Sequence, residues 1–206
     1  MPELSRSVTV SRTAWLELHE ELQLVNDGYE FLDEKRILLA AELLRQRDAY
    51  KQARAAFDRL SDLARVALVD AASALGLDLL QVYPAVELAE ASLVVETTPA
   101  VGLSILSASL DPGTVPEPRP PLLPSYEVER CRRAFRELMS AAAMLAAQTA
   151  NIKRLVYEYR RTERRVRALE NVVMPEIRDD LKTMEEYLDL IDQEEVIRVR
   201  CTRERS

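Results

Sequence analysis

The sequence predicts a mainly α fold: a long antiparallel two-helix coiled coil, built from an N-terminal and a C-terminal helix, with a small middle segment containing a β-hairpin at the far end. Three observations predict it. Apolar residues recur at alternating steps of three and four through the first and last thirds of the chain. Only four Gly and 5% aromatic residues stand against 31% charged ones, and Ala, Leu, Glu and Arg are the material of long helices. Residues 76–124 differ in kind, with β-formers and closely spaced prolines.

In chain order, residues 1–10 read as a short arm, and Ser11 is a helix cap that opens an N-terminal helix over 11–75. Its seam runs through Trp15, Leu18, Leu22, Val25, Tyr29, Leu32, Arg36, Leu39, Leu43, Gln46, Tyr50, Ala53, Phe57, Leu60, Ala64 and Ala67. Arg36 and Gln46 are its polar members, read as register-setting or locally hydrated seam positions. Gly28 lies off the seam and costs about 1 kcal/mol relative to Ala. Gly76 closes the helix, with a short continuation to Tyr83 ended by Pro84.

Ser92–Thr97 and Val101–Ser107 predict the two strands of a hairpin (92–107), divided at Thr98–Ala100. Residues 111–124 form a proline-rich connector, with five prolines between Asp111 and Pro121. Ser125 then caps a helix over 125–198, with Glu127 and Glu129 in its first turn where acids suit the helix dipole. Its seam passes through Val128, Cys131, Phe135, Leu138, Ala142, Leu145, Thr149, Ile152, Val156 and Tyr159. After Glu163 it resumes at Val166, Leu169 and Val173, then steps by fours through Ile177 to Leu181 and on to Met184, Leu188 and Ile191. Such a helix would reach roughly 110 Å. A stripe of that length needs a partner helix. Pro175 removes the hydrogen bond to the Asn171 carbonyl and predicts a kink there. Residues 199–206 read as a short tail.

Chemistry-bearing patterns are sparse. Neither the G-x-x-x-x-G-K-[ST] phosphate loop nor G-x-G-x-x-G occurs, so no nucleotide cofactor is expected. His19, the only histidine, is flanked by Glu17, Glu20 and Glu21 and reads as a solvated side chain, so no metal and no catalytic residue is expected. Cys131 and Cys201 are too far apart in sequence to make a framework and read as idle thiols. A net charge of −7 argues against a nucleic-acid partner. No apolar run approaches a membrane span, and the first residues lack a signal-peptide core, which leads to the expectation of a cytosolic location without direct membrane insertion.

Charge is segregated along the C-terminal helix. Residues 153–167 hold seven basic groups against two acids, and residues 176–195 hold nine acids against two bases. If Leu75 lies near Ser125, Arg164–Arg167 fall beside Asp33 and Glu34, and Asp179–Glu186 fall near Glu17, Glu20 and Glu21. Acids then face acids at the joined termini, which favours a partner with a basic lining.

The stretch Thr162–Ile177 resembles the C-terminal signature of the D-subunit family of V-type (vacuolar, archaeal and bacterial V/A-type) ATPases, roughly T-x-R-R-V-N-A-L-E-x-V-x-I-P-x-I. Arg164, Arg165, Val166, Ala168, Leu169, Glu170, Val172 and Pro175 hold its matching positions. Ser11-Arg12, Leu16, Gly28, Leu32 and Lys35-Arg36 are similar to the family's N-terminal pattern. Arg167 and Met174 depart from it, as do Asp33 and Glu34. The resemblance implies a non-catalytic central-stalk subunit on the cytoplasmic side of a membrane-bound rotary ATPase. Its implied partners are the A and B subunits of the catalytic ring, a small F subunit and a socket subunit above the membrane ring. Arg164, Arg165, Val166, Leu169, Glu170 and Pro175 are then candidate rotor contacts. Glu17, Glu20, Glu21, Asp179, Asp180, Glu185 and Glu186 are candidate ring contacts. A prefoldin-like chaperone subunit or a scaffolding coiled coil is the alternative that the heptads alone allow.

Overall fold

A computed structural model of the chain describes residues 11–83, 91–111 and 124–204. The expected arm at 1–10, the helix end at Pro84, the core of the proline-rich connector at 112–123 and the last two residues lie outside that range. The elements are α1 (Arg12–Leu75), α2 (Leu77–Val82), β1 (Ser92–Ala100), β2 (Leu103–Asp111), α3 (Tyr126–Ala168), a π turn (Leu169–Val173) and α4 (Met174–Glu204). They fall into two compact units, one of Met1–Leu38 with Tyr159–Ser206 and one of Leu39–Glu158. Stretches of both long helices enter each unit.

Ser11 starts α1 by accepting the Ala14 N–H on its Oγ at 3.0 Å. Every one of the sixteen seam residues of α1 is buried or half-buried. The helix closes at Gly76, whose φ of 78° favours a residue without a Cβ. Its N–H donates to the Ala72 carbonyl at 2.9 Å, and its own carbonyl accepts from Leu80 at 3.1 Å to begin α2.

In the unit of residues 39–158, Asp70 near the end of α1 pairs with Arg130 near the start of α3 at 3.3 Å, the pairing that an antiparallel arrangement of the two helices requires. Both charges are half-exposed, so the pair marks register more than it stabilises. Beside it Ala67 and Ala71 pack on Val128 and Cys131, covered by Leu75, Leu80, Tyr83 and Ala134. Burial pushes the Cys131 thiol up, away from the reactive thiolate. Tyr83 donates to Glu129 at 3.3 Å, and the Arg132 guanidinium lies 5.9 Å from its ring centre. Ser125 caps α3, its Oγ accepting from the Val128 N–H at 3.4 Å.

Gln46 is a buried member of the seam, donating from Nε2 to Glu42 Oε1 at 2.8 Å. Arg45 also bonds the Glu42 carboxylate and, with Gln46, holds it below the usual carboxylate range against the opposing effect of burial. A depressed folded-state value means that Glu42 stabilises the fold above the ordinary carboxylate pKa and that this contribution is lost as pH falls through the folded value. The unfolding midpoint of Glu42→Gln is therefore expected to lie below that of the parent chain at pH 7, with the gap closing on acidification. A gap constant with pH would show the ionised form to be unimportant.

β1 and β2 pair antiparallel without a bulge, from Ser92 opposite Asp111 to Ala100 opposite Leu103. The expected division at Thr98–Ala100 is corrected: the turn is Val101–Gly102. Their φ values of 51° and 75° are those of a two-residue mirror-image turn, whose twist matches the strands. Pro99 stays within β1, opposite Ser104. In this register Ala100 and Leu103 exchange ladder hydrogen bonds, so the backbone N of Pro99 points away from β2 and its missing N–H breaks no rung.

The Asn151 side chain of α3 is hydrogen-bonded to the hairpin. The Asn151 amide accepts the Leu106 N–H and donates to the Leu106 carbonyl, both at 2.8 Å, as a third strand would. Asn151 is fully buried. Asn151→Leu keeps the branched outline of the side chain, with added bulk, but orphans both Leu106 groups, and is expected to cost at least about 1–3 kcal/mol. Hydrogen exchange at the Leu106 amide checks it directly; unchanged protection there would show that another contact holds the hairpin.

In the other unit, Leu18 packs on Ile177, Leu181 and Met184, with Ala14, Trp15, Leu22, Val25 and Val173 around them. Arg12 forms a forked pair with Asp192, both bonds 2.8 Å, again antiparallel. One expectation is corrected: the tail expected from residue 199 is helical through Glu204, since no Gly or Pro interrupts it. Just before Pro175 the helix forms a π turn, in which the Met174 N–H donates to the Leu169 carbonyl, five residues back.

Candidate functional site

The terminal unit gathers every candidate contact, because all of them lie on residues 12–38 and 159–204. The signature residues divide by burial. Val166 is fully buried, Leu169 half-buried, and Arg164, Arg165, Glu170 and Pro175 are exposed. Val166 is therefore a seam residue with no surface to offer a partner, and Thr162, four residues earlier on the same face, is buried with it.

The π turn explains the shape of this signature. Buried positions run Thr162, Val166, then half-buried Leu169, then Met174, Ile177, Leu181 and Met184. The steps are four, three, five, three, four and three. A coiled-coil seam tolerates threes and fours, so the step of five carries one residue too many. It falls on the π turn, whose wider loop absorbs one extra residue. Val173, named as a seam residue from the sequence, is half-buried and packs on the Leu18 cluster, and Met174 beside it is buried. The Asn171 side chain donates to the Arg167 carbonyl at 3.0 Å, serving the altered hydrogen-bond ladder.

The expected pairing of Arg164–Arg167 with Asp33 and Glu34 is not what forms. Arg167 pairs along its own helix with Glu163 at 2.6 Å, and Asp33 with Arg36 at 2.6 Å. Neighbours one turn apart are already close, which makes these the easier pairs. Arg164 and Arg165 make no ion pair among the described residues. They present two adjacent cations to the outside.

Of the candidate ring contacts, Glu17, Glu20, Asp179, Glu185 and Glu186 are exposed, and Glu21 is half-buried. Asp180 is buried at 7% exposure and has a partner within the protein. His19 stacks on Trp15, ring centres 5.4 Å apart, so its neighbours are an indole and solvent. Among the described residues no group of His, Cys, Asp and Glu could hold a metal ion, and no helix is long and apolar enough to cross a membrane. The free cysteines are buried Cys131 and exposed Cys201.

The profile of the family described as the D subunit of ATP synthase matches residues 14–204, which takes in both long helices, the hairpin and the signature. The chain belongs to the ATP synthase D-subunit family. It is similar to the V-type ATP synthase D subunit of Thermus thermophilus, 30% identical over 203 residues that cover 94% of this chain and 86% of the relative. The V-type D subunit of Thermotoga neapolitana is 22% identical, covering 97% and 98%. The A-type ATP synthase D subunit of Pyrococcus furiosus is 27% identical, covering 97% and 94%. Family membership makes the chain one component of a multi-subunit, membrane-associated ATP synthase, and it removes the prefoldin and generic scaffold alternatives. Sequence reasoning missed Asn151 and Leu155, and named Thr162 and Met174 as positions of the signature without reading their burial.

Proposed function

We propose that the chain is the non-catalytic rotor shaft of its synthase. It transmits torque between ATP hydrolysis or synthesis in a catalytic ring of A and B subunits and ion translocation through a membrane ring. The observation that carries this reading is the family match over two long antiparallel helices whose shared stripe is buried in each unit. Two helices locked along a seam resist twisting far better than one, and torque needs stiffness, not a reactive group. The exposed acids Glu17, Glu20, Glu185 and Glu186 would face a basic lining of the ring. Arg164, Arg165, Glu170 and Pro175 would meet a small F subunit or the rim of the ring, and a socket subunit would join the shaft above the membrane on its cytoplasmic side.

Two experiments test it. Pulled from its host in mild detergent, the tagged chain should retain two related nucleotide-binding subunits and a small partner; recovery of chaperonin, clients or nothing would sink the reading. In the assembled complex, a cysteine at Glu185 cross-linked to the ring should stop ATP hydrolysis, and reductant should restore it. Undiminished hydrolysis with the cross-link formed would mean that the chain does not turn.

A further inference from the structure

The hairpin has two outer edges, and the Asn151 clamp occupies one of them. Since Leu106 sends its N–H and carbonyl outward to Asn151, its partner Thr97 belongs to a pair without ladder hydrogen bonds. The register has no bulge, so Leu93, Val95 and Thr97 all point their N–H and carbonyl groups away from β2. The position of Pro99, next in the same series, agrees. Among the described residues nothing satisfies these groups.

The side chains are as open as the backbone. Leu93 is 57% exposed, Val94 42% and Val95 49%, whereas in β2 Leu103, Ile105, Leu106, Ala108 and Leu110 are half-buried. An unprotected aliphatic strand edge is avoided in proteins that work alone, because it templates a further strand. Residues 92–111 also contain Glu96 and Asp111 and no basic residue.

We propose that the edge of β1 over Leu93–Thr97 receives an extended segment of a neighbouring subunit of the synthase as a third strand, apolar in character and with a basic residue beside Glu96. Main-chain hydrogen bonds supply the affinity, and the exposed aliphatic side chains supply the fit. Pro99 ends the ladder and so limits the register of the incoming strand. The clamp at Asn151 holds β2 to α3 and turns β1 outward. The proposal rests on membership of a multi-subunit complex and not on torque transmission.

The test is hydrogen exchange read amide by amide on the isolated full-length chain and on the assembled complex, with subunit composition measured by mass on the same samples. Assembly is expected to slow exchange at Leu93, Val95 and Thr97 by about tenfold or more, leaving Val94, Glu96 and Thr98, already paired with β2, unchanged. Val95→Pro places a second proline in the outward series, so the β1–β2 ladder should survive while protection at Leu93 and Thr97 is lost. Equal slowing of both sets, no slowing in the assembled complex, or slow exchange at Leu93, Val95 and Thr97 before assembly would each overturn the third strand. A complex that forms without the alternating pattern leaves the shaft reading standing.

Discussion

Leu155→Ala is expected to cost about 3–5 kcal/mol in urea unfolding, among the largest effects of any single truncation in this chain. Leu155 is fully buried near the middle of α3, one turn from Asn151 on the same face. Removing three of its side-chain carbons leaves a cavity among close-packed side chains. Ile152, a seam residue by heptad counting, is only half-buried, and Ile152→Ala should cost about half as much. The opposite ranking would mean that the heptad seam, not the face shared with Asn151, carries the packing in this region.

That ranking shows what the sequence could reveal. The seam of α1 was legible throughout, because a helix packed along one stripe has one period and all sixteen residues follow it. The stripe of α3 was legible where a single helix covers it, at Val128 and Cys131. Between Ala147 and Leu155 burial shifts to Ala147, Asn151 and Leu155, and Asn151 binds the hairpin, a partner that no periodicity within α3 encodes. Phe135 and Ile191 fit the period yet stand 39% and 48% exposed. For Ile191 the reason is local: α1 begins at Arg12, which reaches Asp192, so the partner helix runs out there. The turn of the hairpin was misplaced for another reason. Proline marks turns more often than strands, and only the pairing register shows that Pro99 sits on a free edge. The candidate contacts were legible as charge and the burial of Val166 as a seam position, but the burial of Asp180 was not, since a pattern of charges does not fix which side of the seam each occupies.

Register gives the second large effect. Deleting exposed Arg178 moves every later residue by one position, about 100° around the helix. Lys182 and Glu185 then take the places of Leu181 and Met184 in the core against Leu18. Losing two buried apolar side chains and burying two charges should cost on the order of 5 kcal/mol or more, enough to unfold the terminal unit. Deleting Val172 is a change of the same size only six positions away, and the opposite outcome is expected. Val172 is half-exposed and lies in the π turn that holds the one surplus residue. Without it buried Val166, half-buried Leu169 and buried Met174, Ile177, Leu181 and Met184 step by three, four, three, four and three, a seam that an ordinary α-helix carries. Proline inside that ordinary helix would cost about 3 kcal/mol, so the deletion is made together with Pro175→Ala. The double variant should unfold within about 1 kcal/mol of the parent chain. If it is as damaging as the Arg178 deletion, the π turn exists to accommodate Pro175 and not to hold the seam in phase. If it is benign, the proline sits where the widened turn already needed no ordinary hydrogen bond, and phase is the cause.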